Sequence, residues 1–145
     1  LLVLRKSFEV FDEILIKDKI NYIVCGEPIK IKGWISDFYV IMTNLIENSI
    51  YWMNAKDATN KKIQVTVSIS EGVLEFIDYQ DTGPGIETHL IESQVIFEPE
   101  FSTKPSGTGL GLAIAGEAAA RNHLEIKAFD SDNGAYFRLQ SRRVI

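Results

Sequence analysis

The stretch D-T-G-P-G-I at residues 81–86, followed by F-E-P-E-F-S-T-K at 97–104 and G-T-G-L-G-L at 107–112, sets three kinds of chemistry side by side. A carboxylate stands beside paired glycines, a Gly-poor segment carries a lysine, and a run of glycines opens into an apolar helix. Asp81 follows the apolar run V-L-E-F-I-D-Y, so its side chain is expected at a strand end, facing the space left by Gly83-Pro84-Gly85. There it can accept a hydrogen bond from an exocyclic amine. The glycines permit positive φ and close approach by a flat ligand, and Pro84 stiffens the turn between them. By itself such a string most often marks an ordinary acidic turn.

Gly107, Gly109 and Gly111 lead into L-A-I-A-G-E-A-A-A-R, a good helix former whose small residues allow close packing on a sheet. Unpaired N–H groups at such a helix start, with the dipole behind them, favour an anion, and phosphate is the obvious one. A dinucleotide-binding reading fails because no long hydrophobic strand leads into these glycines and no acidic residue follows at the required spacing. A Walker reading fails because no G-K-S/T closes the loop. The three stretches together read as the floor, lid and phosphate end of a nucleotide pocket.

The 145 residues suffice for one domain with one core, and 46% hydrophobic with 24% charged residues is a globular composition. No apolar run approaches the roughly 20 residues that span a bilayer. The chain begins at Leu1 without a methionine and is expected to belong to a longer protein. A net charge of −5 argues against a nucleic-acid surface and leaves a phosphate site dependent on metal ions or local donors. Cys25 is the single cysteine, so an internal disulfide or cysteine-based zinc site is excluded.

Leu4, Phe8, Phe11 and Leu15 recur at helical spacing, which predicts one amphipathic helix over about 3–17, joining the domain to something upstream. Two short apolar runs, I-N-Y-I-V-C and I-K-I-K-G-W, separated by Gly26-Glu27-Pro28, predict a pair of edge strands. Ser36 is the expected N-cap of a helix running to about Met53, with Asp37 in its first turn. Phe38, Ile41, Leu45 and Ile46 form its core stripe. Asn44, Asn48 and Trp52 fall at i, i+4 and i+8, lining another face. That amide-rich stripe fits a cleft, where an asparagine oxygen is a hard ligand suited to Mg²⁺, or else two amides that cap neighbouring loops.

Ile63, Val65, Val67 and Ile69 alternate with polar residues, and Glu71-Gly72 turns the chain into the strand that delivers Asp81. A short helix is expected from about Glu87 to Ile96. The glycine-opened helix should end at Asn122, a residue that tolerates the left-handed conformation. H-L-E-I-K-A-F and A-Y-F-R-L-Q, joined through Asp132-Asn133-Gly134, predict a final hairpin. Strands separated by packing helices imply a two-layer α/β sandwich.

Taken in order, N-L-I-E-N (44–48), D-T-G-P-G-I, F-E-P-E-F-S-T-K and G-T-G-L-G-L resemble the catalytic, ATP-binding domain of sensor histidine kinases. That domain belongs to the family that includes gyrase, MutL and the heat-shock chaperone ATPases. The similarity covers almost the whole chain. It implies the Bergerat fold, an α/β (α+β) sandwich with a mixed, mostly antiparallel sheet covered on one face by helices. It also implies one catalytic domain over 1–145, with 1–17 as a linker helix.

By the same resemblance ATP and Mg²⁺ are the ligands. Asn48 would ligate Mg²⁺ with help from Asn44, Asp81 would bind the adenine amine, and Gly83, Gly85 and Ile86 would shape the adenine pocket. Trp52 would cover the adenine face. Gly107, Thr108, Gly109, Leu110 and Gly111 would lie by the phosphates, with Lys104 of the lid reaching a phosphate oxygen. In the hydrolysing branches a glutamate at the place matching Asn44 acts as base toward water. An amide cannot take that proton, so phosphotransfer is favoured over hydrolysis. Glu47 could orient a nucleophile or be a solvated carboxylate.

Tyr51 stands where the kinases commonly carry a basic residue, and Glu100 where a second aromatic is usual. His89 and His123 lack the H-E/D-x-x-x-P context of a phosphoacceptor. The acceptor, on a helical dimerisation domain, is therefore expected outside this chain, in a homodimeric full-length protein serving a response regulator. The domain is expected in the cytoplasm, alone or as part of a membrane-bound sensor. A nucleotide-dependent switch that phosphorylates nothing and a chaperone- or MutL-type ATPase are the alternatives.

Overall fold

The computed structural model describes residues 1–31, 33–55, 60–98, 111–131 and 134–141. Five strands form one sheet in the order β1-β2-β3-β5-β4. They are β1 (Asn21–Gly26), β2 (Lys62–Ser70), β3 (Val73–Asp81), β4 (Leu124–Phe129) and β5 (Tyr136–Ser141). β1 runs parallel to β2, and every other pairing is antiparallel. Alternation decides the faces: Ile63, Val65, Val67, Leu74, Ile77, Tyr79, Leu124, Ile126, Phe137 and Leu139 are buried under the helices. The helices α1 (Leu2–Glu9), α3 (Ile35–Ala55) and α5 (Gly111–Arg121) supply the covering layer. The two-layer architecture and both antiparallel hairpins are those expected from the periodicity.

α3 is the long helix that carries the amide stripe, and its other side is apolar. Ile41, Leu45, Ile46 and Met53 are buried against the sheet, each burial contributing roughly 1.5–3 kcal/mol. α5 packs beside it through Ala115, Ala118 and Ala119, whose small side chains let the two helices approach closely. A polar cluster ties the far ends together. Arg121 at the end of α5 donates to Asp37 at 2.7 Å, and Asn122 donates to the same carboxylate at 3.0 Å while accepting the Trp34 N–H at 2.8 Å.

Several local expectations are corrected. The single helix over 3–17 is two, α1 and α2 (Asp12–Lys17), because the Phe11 N–H returns to the Phe8 carbonyl only three residues back. The break lets Phe8 stack on Tyr22 of β1 at 4.3 Å while Leu15 enters the core from a new direction. The run at 29–34 is not a strand in its described residues. β1 stops at Gly26, whose φ of +125° and close approach to Val67 turn the chain away, and Arg5 donates to the Val24 carbonyl. Ile29 then packs against the core.

Ser36 does not cap α3. The Trp34 carbonyl accepts the first helical hydrogen bonds, from Asp37 and Phe38, so Ser36 already lies inside the first turn. The helix expected over 87–96 is shorter, α4 (Thr88–Ser93), followed by a 3₁₀ turn at Val95–Phe97. Gln94 between them is left-handed, at φ +55°. Its amide exchanges two hydrogen bonds with the Ala128 backbone, which fastens this segment to the edge of β4. After α5 the left-handed residue is His123 rather than Asn122, whose side chain is engaged by Trp34 and Asp37. Among the described residues, no helix is long and apolar enough to cross a membrane.

Candidate functional site

Asp81 ends β3 with its side chain directed to the helix side of the sheet and is 7% exposed. Oδ1 accepts the N–H of Gly83 and the N–H of Ala135, both at 3.0 Å. Oδ2 accepts the Ser49 hydroxyl at 2.6 Å. An ionised carboxylate has about four lone-pair sites, so one acceptor position on Oδ2 remains that no donor among the described residues fills. Gly134 makes this packing possible: at φ +113°, a Cβ there would lie 2.1 Å from the Asp81 carbonyl oxygen.

The glycines beyond Asp81 divide the work. Gly85 is left-handed at φ +84° and lies against Gly134. Gly83 does not adopt positive φ and serves as a hydrogen-bond donor, a correction to the reading that gave both glycines the same role. Ile86 is half-buried and packs against the core. Thr82 locks the strand end by accepting the Lys62 N–H and donating to the Asn60 carbonyl.

On α3, the Asn44 amide nitrogen donates to the Val40 carbonyl of its own helix at 2.8 Å, which leaves Oδ1 facing α5. A Cβ on Gly111 would lie 2.9 Å from that oxygen, so the start of α5 rests on Asn44. Asn48, one turn further, is half-buried and has no hydrogen-bond partner among the described residues. Trp52 is half-buried, edge-on to Tyr51 at 5.0 Å. Glu47 is exposed on another side of the helix. Lys104, Gly107, Thr108, Gly109 and Leu110 lie outside the described residues, as does Glu100. Phe97, which opens the F-E-P-E-F-S-T-K stretch, packs on Phe137 at 6.1 Å.

The pattern reading missed Ser49 and Tyr79. Ser49 is 2% exposed and sits midway between buried Leu45 and Met53 at helical spacing, and that polar residue on an apolar stripe was the available signal. Tyr79 precedes Asp81 by two on the same strand, hence on the same face. Its hydroxyl lies 2.7 Å from Ser49 Oγ and 3.1 Å from the Leu45 carbonyl. Burial, and then the negative charge of Asp81, push the Tyr79 phenol well above its usual range, so it remains a protonated donor.

The donor set suits a metal held chiefly by its ligand. Among the described residues there is no group of three or more His, Cys, Asp or Glu placed to chelate a cation. Two amide oxygens one helical turn apart are the hard donors present, which matches the habit of Mg²⁺ to take few protein ligands and complete its shell with phosphate and water.

Residues 35–143 match the family described as histidine kinase-, DNA gyrase B- and HSP90-like ATPase. The sensor protein kinase PilS of Pseudomonas aeruginosa is 28% identical over 97 residues, 65% of this chain and 17% of PilS. The sensor histidine kinase RppB of Synechocystis is 36% identical over 84 residues, 55% of this chain and 17% of RppB. The chain thus matches less than one fifth of either relative's length. The nucleotide-free catalytic domain of the histidine kinase ThkA superposes with a TM-score of 0.78 at 26% identity, covering 97% of this chain and 90% of that one. The fold also matches ThkA in its complex with the response regulator TrrA, with a TM-score of 0.73 at 22% identity, covering 98% of this chain and 40% of that one.

Proposed function

Because the chain belongs to the histidine kinase-, DNA gyrase B- and HSP90-like ATPase family, as an ATP-binding catalytic domain of the sensor histidine kinase type, we propose that it binds Mg-ATP and donates the γ-phosphoryl to a histidine on a helical domain outside these residues. The observation that carries the reading is the buried Asp81 carboxylate, held by three donors with one acceptor position to spare. The adenine amine fills that position. Gly83, Gly85 and Ile86 shape the adenine pocket, and Trp52 covers the ring with the offset or edge contacts aromatic faces prefer.

Asn48, whose amide has no partner among the described residues, would hold Mg²⁺ through its side-chain oxygen, with Asn44 beside it. When bound, the ion neutralises charge on the β- and γ-phosphates. The phosphate contacts we assign are Gly107, Thr108, Gly109, Leu110 and Gly111, with Lys104 as a point charge toward a phosphate oxygen. The incoming imidazole nitrogen attacks the γ-phosphorus as the bond to the β-phosphate oxygen breaks and ADP leaves. The protein's part is positioning and charge stabilisation. Asn44, being an amide, does not serve as a base toward water. Glu47 is exposed, as a carboxylate that orients the nucleophile or faces a partner would be.

In this reading residues 1–145 are one catalytic domain and 1–17 lead to the dimerisation and phosphoacceptor helices. The whole protein is a homodimer that passes phosphate to a response regulator in the cytoplasm. Two experiments test it. Mg-ATP at about 100 times its dissociation constant should stabilise the chain by roughly 2.7 kcal/mol, and Asp81→Asn should abolish most of that gain. No thermal shift at millimolar Mg-ATP sinks the binding half. For the transfer half, the full-length protein is incubated with γ-labelled ATP. Acid-labile, base-stable label on protein is expected, whereas free phosphate alone means hydrolysis and acid-stable label a hydroxyl acceptor.

A further inference from the structure

Asp81 does not stand alone at the end of β3; it terminates a directed chain of hydrogen bonds. A carboxylate accepts and cannot donate, so the single proton of Ser49 is committed to Asp81 Oδ2, 2.6 Å away. Ser49 Oγ can then only accept from the Tyr79 hydroxyl, 2.7 Å away. The Tyr79 proton has the Leu45 carbonyl as a second, longer acceptor at 3.1 Å. Ser49 and Tyr79 are each 2% exposed, so water cannot replace either bond. The order Tyr79 to Ser49 to Asp81 is therefore fixed in polarity as well as in place.

We infer that Ser49 and Tyr79 are positioning residues for nucleobase selection: they hold Asp81 Oδ2 in place so that its remaining lone pair accepts the amine at position 6 of a purine. This rests on the proposed ATP site and goes further by assigning the preference for that amine to two residues outside the ligand-contacting set. The relay fixes Oδ2 in rotation, since Oδ1 is already bound by Gly83 and Ala135 on the opposite side. Without the Ser49 donor the Oδ2 lone pair would no longer be aimed at the amine.

The test compares two ligands that differ only at position 6: Mg-ATP and the triphosphate of purine riboside, which lacks the amine. Affinities are measured by titration calorimetry on the wild-type chain, Ser49→Ala and Tyr79→Phe. The wild type should prefer ATP about tenfold, the scale of a hydrogen bond to a charged group. Ser49→Ala should lose about that factor for ATP and hold the analogue within about twofold. Tyr79→Phe should show the same selectivity loss at smaller size, and it carries the test if circular dichroism shows Ser49→Ala to be unfolded.

Equal losses for both ligands in the variants would make the pair merely structural and overturn the inference. Equal wild-type affinities for the two ligands would overturn it as well, while leaving ATP binding intact. A wild type that binds neither ligand brings down the proposed function together with this inference.

Discussion

Gly134 passes so close to Asp81 that a Cβ at residue 134 would lie 2.1 Å from the Asp81 carbonyl oxygen and 2.9 Å from its Oδ1. The contact joins the start of β5 to the end of β3. It also places the Ala135 N–H on the carboxylate. Gly134→Ala would add left-handed strain to direct overlap, so a loss of about 2–4 kcal/mol is expected. Urea midpoints measure the loss. Unchanged stability would mean that the two strand ends can separate without consequence for the fold.

The role proposed for Asn48 is chemical and can be separated from a structural one. Asn48→Ala should weaken Mg-ATP by roughly 10–100-fold, the range seen when a metal's surroundings are altered. Metal-free ATP, measured in excess chelator, should bind nearly as before. A parallel loss with and without metal would make the amide a packing element.

At Gly111 stability and binding should part company. A Cβ there would press on Asn44 Oδ1 from 2.9 Å, and that side-chain tip can move. Alanine also favours a helix over glycine by about 1 kcal/mol. Gly111→Ala should therefore leave the denaturation midpoint almost unchanged while lowering Mg-ATP affinity several-fold through the displaced amide. Loss of stability without loss of affinity would refute the coupling.

The Asp37 cluster predicts a pH dependence. The Arg121 hydrogen bond lowers the Asp37 pKa, with Asn122 and the Arg121 charge assisting and burial opposing. A carboxyl with a depressed folded pKa contributes stability that is fully present above its unfolded value, about 3.9. That contribution is lost as the pH falls through the lower folded value. The stability difference between the wild type and Asp37→Asn should stay constant from about pH 5 to 8 and close below about pH 4. A difference that persists at lower pH would assign the cluster's effect to the neutral hydrogen bonds. Arg121 is half exposed, so high salt should shrink the effect.

Much of this protein is legible without coordinates because its signals are local. The alternation over Ile63–Ile69 and the glycine-closed turns specify both hairpins, and the stripe Phe38, Ile41, Leu45 specifies α3. The D-T-G-P-G-I and N-L-I-E-N motifs carry their chemistry in the identity of neighbouring residues. Where local signals competed, the reading failed. Ser36 is a good cap by type, yet Trp34 opens the helix, because Asn122 takes the Trp34 N–H from 88 residues away.

What tertiary structure alone decided is the company that Asp81 keeps. Ser49 lies 32 residues before it and Ala135 54 after it. They meet because β3 is the central strand, with β5 paired on one side and α3 laid across its helix-facing surface. No spacing along the chain encodes that adjacency. The sequence determined that a carboxylate would stand at a strand end beside glycines. Folding determined that three donors would hold it, because burying a charge requires each neighbouring element to contribute a hydrogen bond.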